Sequence, residues 1–298
     1  MATHQPTILL KQTSDAEFRN WVNAIVTAFT TLGWIDAAET GQIYTSTATF
    51  PNAANLNKGF KMFRMNDSLQ GTYPVFCKME FGSGAAANDP AMRMTVGTAT
   101  DGAGTLSGTV GASLAFGNIA AASAASLTQY FSGDTDRIAG LVRITSAAAT
   151  GIVFFCERLR ASDGTASADG VVYGMHPCLN TITWTTTDGG GMQVLEWGKA
   201  VPTKFSFYWN ALAHPNATTM TSGGDTYLFP IIPIGWKSWN PIIGFGAYLA
   251  VDIANMATFN TTTYGTSRLH RAIASEVYST NTKFGLLGIS PYPYIAEW

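Results

Sequence analysis

Glu80, Glu157 and Glu196 each fall inside a short β-like run of this chain. Strands laid side by side could set two of these carboxyls across a cleft, as the acid and base of a glycan-cleaving enzyme. Arg93, Arg143, Arg158 and Arg160 stand in runs of the same kind, and cross-strand ion pairing accounts for the glutamates equally well. Asp134-Thr135-Asp136 places two carboxylates on one side of a short loop, as a calcium loop begins. The glycine and glutamate that complete an EF-hand are missing, so a turn or cap is favoured. His176-Pro177-Cys178 offers a nitrogen and a sulfur to a metal, but zinc needs two further ligands and no second pair has the spacing. A histidine and a thiol flanking a proline turn is the favoured reading. Trp184, Trp197, Trp209, Trp236 and Trp239 offer flat faces on which a sugar ring could stack, although large aromatics more often fill cores and interfaces. GxSxG, HExxH and GxxxxGK[ST] are all missing from the sequence, as is a glycine-rich loop between a strand and a helix. The expectation is a chain without enzyme activity, cofactor or metal.

The elements that would position these groups are mostly strands. One helix is predicted over about Asp15 to Leu32. Phe18, Trp21, Val22, Ile25, Phe29 and Leu32 lie along one face, Ser14 with Glu17 makes a capping box, and Gly33 supplies the stop. The stripe must be covered, by the chain's own core or by a neighbouring subunit, and Phe18 and Trp21 are its candidate interface residues. Beyond about Gln42 short runs alternate with Gly, Asp and Asn. Strands are predicted at Phe60–Arg64, Val75–Phe81, Met92–Thr98, Arg137–Ile144, Gly151–Arg158, Gly170–Met175 and Thr181–Thr186. Further strands are expected at Met192–Gly198, Lys204–Trp209, Tyr227–Ile232, Phe245–Val251 and Thr282–Ile289. Asp101-Gly102, Asp163-Gly164, Asp169-Gly170 and Asp188-Gly189 read as turns between them. Ser123–Tyr130 and Ser267–Val277 read as two further short helices. The fold class is therefore mainly β: a large antiparallel sandwich of jelly-roll kind with an N-terminal amphipathic helix. Residues 1–41 form an arm and helix, residues 42–298 the body, with a sub-boundary near 178–184.

Composition narrows the function. Only 12% of the 298 residues are charged, about half the ~25% of an average protein. A monomer ordinarily stays soluble behind a dense, mixed-sign charged surface, so such a chain is expected to hide surface against other subunits. The net charge of -2, with no Lys/Arg cluster, excludes strong attraction to nucleic acid. The most apolar stretch, from Tyr227 to Phe245, is cut by Pro230, Pro233 and Pro241, too short for membrane insertion. Cys77, Cys156 and Cys178 are odd in number and widely spaced, and no basic and apolar leader opens the chain. Three unpaired thiols and a cytosolic origin are expected.

The run Gly59-Phe60-Lys61-Met62-Phe63-Arg64-Met65-Asn66-Asp67-Ser68-Leu69-Gln70 continues through Tyr73-Pro74-Val75-Phe76-Cys77-Lys78-Met79-Glu80-Phe81-Gly82-Ser83-Gly84. With Thr95-Val96-Gly97-Thr98-Ala99-Thr100-Asp101-Gly102-Ala103-Gly104, it resembles a group of virion structural proteins of tailed bacteriophages. Tyr130-Phe131-Ser132-Gly133-Asp134 and Phe155-Cys156-Glu157-Arg158 are similar to the same group. The resemblance implies a tail, baseplate or neck component, assembled in host cytoplasm, whose partners are copies of itself and other virion proteins. A tail-tip receptor or carbohydrate-binding module, with host surface glycan as its partner, is the alternative, and a glycan-cleaving enzyme the third. Pro291 and Pro293 hold the final segment extended, and its Tyr292, Tyr294, Ile295 and Trp298 are expected to dock on a neighbouring subunit or on the chain's own body.

Overall fold

The computed structural model describes residues 2–4, 7–9, 13–84, 86–111, 113–115, 126–144, 151–160, 165–176, 191–200, 203–205, 228–230, 245–248, 258–263, 266–279 and 282–289. The fold is mainly β, with one helix, α1 (Asp15–Thr31), among these residues. Its two ends are built as the sequence dictates. The Ser14 Oγ accepts the Glu17 N–H at 3.2 Å, while the Glu17 carboxylate reaches back to the N–H and hydroxyl of Thr13. At the other end Gly33 takes φ +98°. Its N–H donates to the Thr30 carbonyl and the Trp34 N–H to that of Phe29, a Schellman closure sealed by the edge-on packing of Phe29 and Trp34 rings at 5.5 Å.

After the helix, strands β3 (Ile35–Asp36), β4 (Asn57–Arg64), β5 (Phe76–Ser83), β6 (Pro90–Thr100) and β7 (Leu106–Val110) form an antiparallel sheet in chain order. β8 (Leu114–Ala115) also pairs with β6. A second sheet runs β9 (Ser126–Asp134), β10 (Arg137–Ile144), β11 (Gly151–Arg160), β12 (Ala166–His176), β13 (Gly191–Glu196) and β14 (Thr203–Phe205). Its β9 edge is extended by β1 (Ala2–His4) and β2 (Thr7–Leu9), so the arm is built into this sheet. A third antiparallel sheet joins β15 (Leu228–Pro230), β16 (Phe245–Tyr248), β17 (Thr258–Thr263), β18 (Thr266–Ser279) and β19 (Thr282–Ile289) in the order β15-β16-β19-β18-β17. Within β3–β7 and within β9–β14 consecutive strands are hydrogen-bonded neighbours. That is the connectivity of a meander, whereas the expected jelly roll alternates its strands between two sheets.

One core serves helix and both sheets. Cys77, Met79 and Phe81 alternate inward along β5, and Phe154 and Cys156 along β11. The Phe29 ring stacks on Phe63 of β4 at 4.1 Å and lies parallel to Phe154 of β11 at 6.4 Å, so a single helical side chain bridges the two sheets. Trp21 meets Phe81 edge-on at 5.4 Å. Phe18 and Trp21, the candidate interface residues of the helix, are thereby buried in the chain's own core. None of the described helices is long and apolar enough to cross a membrane.

Several strands match the sequence reading closely, Arg137–Ile144 and Thr282–Ile289 to the residue. Two expected helices are strands. Residues 126–130 open β9, held by eight register pairs to β10. The second, Ser267–Val277, lies within β18, paired on both sides by β17 and β19. Leu269, Ile273 and Val277 are spaced by four, which suits a helical turn and equally two pleats of a strand. Asp169-Gly170 is no turn between strands but an interior part of β12, where the pairing with β11 slips between Arg158 and Arg160. Thr181–Thr186, the other two Asp-Gly pairs after Asp101-Gly102 and the sub-boundary at 178–184 lie outside the described residues.

Candidate functional site

The three glutamates do not converge. Glu80 sits on the face of β5 turned away from the core, opposite Phe60 of β4 and Arg93 of β6. It accepts from Arg93 Nε at 2.6 Å and Asn57 Nδ2 at 2.9 Å, with Lys78 Nζ at 3.9 Å over the Phe60 ring. Burial pushes its carboxyl up, but Arg93, Lys78 and Asn57 outweigh this and hold it below the usual carboxylate range. Of the arginines read as partners, Arg93 takes that part. Glu157 lies in the other sheet, opposite Arg137 of β10 and Val172 of β12. Glu196, at the end of β13 opposite Gly170, pairs with Lys199. The backbones of Glu157 and Glu196 lie two strands and two residues apart, on the order of 12 Å.

His176 closes β12 opposite Val153, while Pro177 and Cys178 lie outside the described residues. Among the described residues no three of His, Cys, Asp and Glu gather as a metal site. Cys77 and Cys156 are free, buried thiols, and burial pushes both well above the ordinary thiol range. Of the five candidate tryptophans only Trp197 is described; it is half-buried and packs against Tyr73, ring centroids 5.8 Å apart and tilted 32°. Tyr292, Tyr294, Ile295 and Trp298 lie outside the described residues.

What the fold does bring together is a polar junction between the two meander sheets, centred on the turn from β9 to β10. Asp134-Thr135-Asp136-Arg137 is a tight hairpin, the turn reading of that motif. Its Asp134 carboxylate accepts Arg137 Nε at 2.8 Å and is also paired with Arg137 Nη2. Three successive carbonyls of the turn then each receive a donor from a different element. The Asn66 N–H of the β4–β5 connection donates to Thr135 at 2.8 Å and the Arg158 N–H of β11 to Asp136 at 3.1 Å. The Trp34 indole N–H, just past α1, donates to Arg137 at 3.3 Å. Gly33 approaches so closely that a Cβ there would lie 2.9 Å from the Thr135 methyl.

Beside the turn the Arg158 guanidinium, fully buried, holds the Asp67 carboxylate through Nε and Nη2, the latter at 2.9 Å. Nη2 also reaches Gln70 Oε1 at 3.4 Å, and the Gln70 carboxamide in turn accepts from and donates to the backbone of Val75. Charge-assisted bidentate pairing of this kind offsets part of the loss of hydration that burying a guanidinium entails, while Arg158 Nη1 is buried without a hydrogen-bond partner. The sequence reads Arg158 only as a partner for a glutamate. Chemically the junction is a clamp: its Asp67 and Asp134 carboxylates are engaged by guanidinium groups. No protein-family model matches the chain, and no curated protein matches it by sequence.

Proposed function

We propose that this chain is a structural subunit of a tailed-phage particle, a component of tail, baseplate or neck that acts through contacts with copies of itself and with other particle proteins. The observation that carries this reading is the 12% charged content, half that of an ordinary soluble monomer. The resemblance of the β4–β5 and β6 segments to virion proteins supports the same class. In this reading the two meander sheets pack as a sandwich with α1 lining the joint, and the subunit turns over no substrate. Light-scattering mass of the purified chain, alone and mixed with the particle's other proteins, tests it. A multimer or a co-assembled complex is expected. A monomer under both conditions overturns the proposal.

A second reading, a glycan-binding module, is favoured by the adjoining half-buried rings of Tyr73 and Trp197. Its measurement is glycan binding by the wild type and by Trp197→Ala. Binding lost in the variant would install it in place of the first.

A further inference from the structure

We propose that Cys77 and Cys156 are a cross-linking site: a disulfide oxidant joins them across the boundary between the two meander sheets when the sheets part and reclose, and makes a non-covalent joint covalent. Cys77 lies on the core face of β5 and Cys156 on the core face of β11, and neither has exposed surface. Two separate contacts fix where these strands stand against each other. On one side Arg158, two residues along the same face from Cys156, reaches Gln70, whose carboxamide is bonded to the backbone of Val75, two residues before Cys77. On the other side the Phe29 ring stacks on Phe63, the residue in register with Cys77, and lies parallel to Phe154, two residues from Cys156. Cys156 thus stands between the two contacts on its strand, and Cys77 one step from each on its own sheet. The two sulfurs occupy facing positions in the joint. Burial first, and then the charge of Cys77, raise the Cys156 thiol, as such proximity requires. A single disulfide bridges the packed sheets of antibody domains, so the span is one that opposed cysteines can close.

In the reduced chain the pair behaves as core. Cys77 Sγ donates to Met79 Sδ at 3.8 Å, and both thiols fill apolar volume. A buried thiol that keeps its proton is inert. Reaction therefore waits for molecules in which the joint has opened and the thiols have returned to water. With oxidised glutathione as the oxidant, one cysteine releases its proton to solvent, and its thiolate attacks a glutathione sulfur. A mixed disulfide forms and one glutathione thiolate is expelled. As the sheets reclose, the thiolate of the second cysteine attacks the sulfur of the first and expels the other glutathione thiolate. The two expelled thiolates take up the two protons. The cysteine pair has lost two electrons and the glutathione disulfide has gained them. The new bond restricts the unfolded chain over the whole stretch from β5 to β11 and opposes any later parting of the sheets.

The test follows the thiols of the full chain in oxidised glutathione, in plain buffer and at the midpoint of urea unfolding, with dilution out of urea before alkylation and non-reducing peptide mapping. A peptide containing Cys77 joined to one containing Cys156 is expected, with Cys178 outside the link. The link should form at least tenfold more slowly without urea, since only opened molecules react. The linked chain should unfold at a urea concentration higher by roughly 1 M and lose that gain in dithiothreitol. Cys178→Ser should leave the link unchanged. Cys77→Ser should end it, and Cys156 then goes no further than a glutathione adduct. Cys77 and Cys156 that stay free or stop at glutathione adducts after reclosing overturn the site. So do a bond from Cys178 to either residue in place of Cys77–Cys156, a linked chain no more resistant to urea than the reduced one, and equal rates with and without urea.

Discussion

Two of the carboxylate–guanidinium contacts among the described residues are of opposite character. Glu80 and Arg93 face each other across adjacent strands of one hairpin, 13 residues apart, on the outward face of their sheet. Asp67 and Arg158 are 91 residues apart, join different sheets and enclose a guanidinium with no exposed surface. The first pair is a product of register: once β5 and β6 align, the contact is available with little further ordering. The second exists only because the sheets have already come together. It contributes less as net attraction than as a constraint, since a buried charge left without its partner is strongly unfavourable.

That contrast can be broken from its strong side. Asp67→Ala strands the Arg158 guanidinium and is expected to lower stability by about 3–5 kcal/mol in denaturant unfolding. Replacing both partners with apolar residues of similar volume should recover most of that loss. If the single and the double variants are equally unstable, packing and not charge holds the junction.

A buried polar group with no partner at all marks the limit of the same scale. Gln129 of β9 has no exposed surface, and neither its Oε1 nor its Nε2 finds a hydrogen bond among the described residues. Gln129→Met keeps the shape, removes the orphaned amide, and should raise stability by about 1–3 kcal/mol. A loss of stability would show that the amide is satisfied in solution.

The weak side is sharpened by acid. The lowered Glu80 carboxyl contributes stability that is present above its unfolded value, near the usual 4.5, and lost as pH falls through the lower folded one. Glu80→Gln should cost about 1 kcal/mol at neutral pH, the scale of a partly solvated pair. The difference in melting temperature from wild type should shrink as pH falls below 4. A difference independent of pH would assign the loss to Gln packing.

How much of this was legible in the sequence follows the same division. The helix was readable because its cap, stripe and stop are local, and so were most central strands, because turn residues bound them on both sides. The Glu80–Arg93 pairing was foreseen as one of several cross-strand options for the same reason. β9 was misread because its opening, Ser126 to Gln129, follows an Ala/Ser-rich segment that favours neither period, and only its pairing with β10 and the arm decides it. β18 was misread because a spacing of four suits both periods. The junction itself was invisible: Trp34, Asn66, the Asp134–Arg137 turn and Arg158 come from four stretches, and nothing in any one of them announces the others. The turn signal at Asp134-Thr135-Asp136 was correct, but the sequence gives no hint that its carbonyls serve three other elements.

The sequential strand order of the two meander sheets has a kinetic consequence. Strands β3–β7 and β9–β14 are joined as hairpins, so these contacts close short loops and can form in the order in which the strands emerge during synthesis, the arm strands β1 and β2 adding to β9 only later. The Asp67–Arg158 contact instead closes a loop of 91 residues, whose entropic cost is met only after both sheets exist. It should therefore be absent from the folding transition state. In stopped-flow measurements, Asp67→Ala should leave the refolding rate nearly unchanged and accelerate unfolding by almost the whole of its equilibrium effect. The clamp then governs how long the folded chain lasts, and hardly at all how quickly it is made.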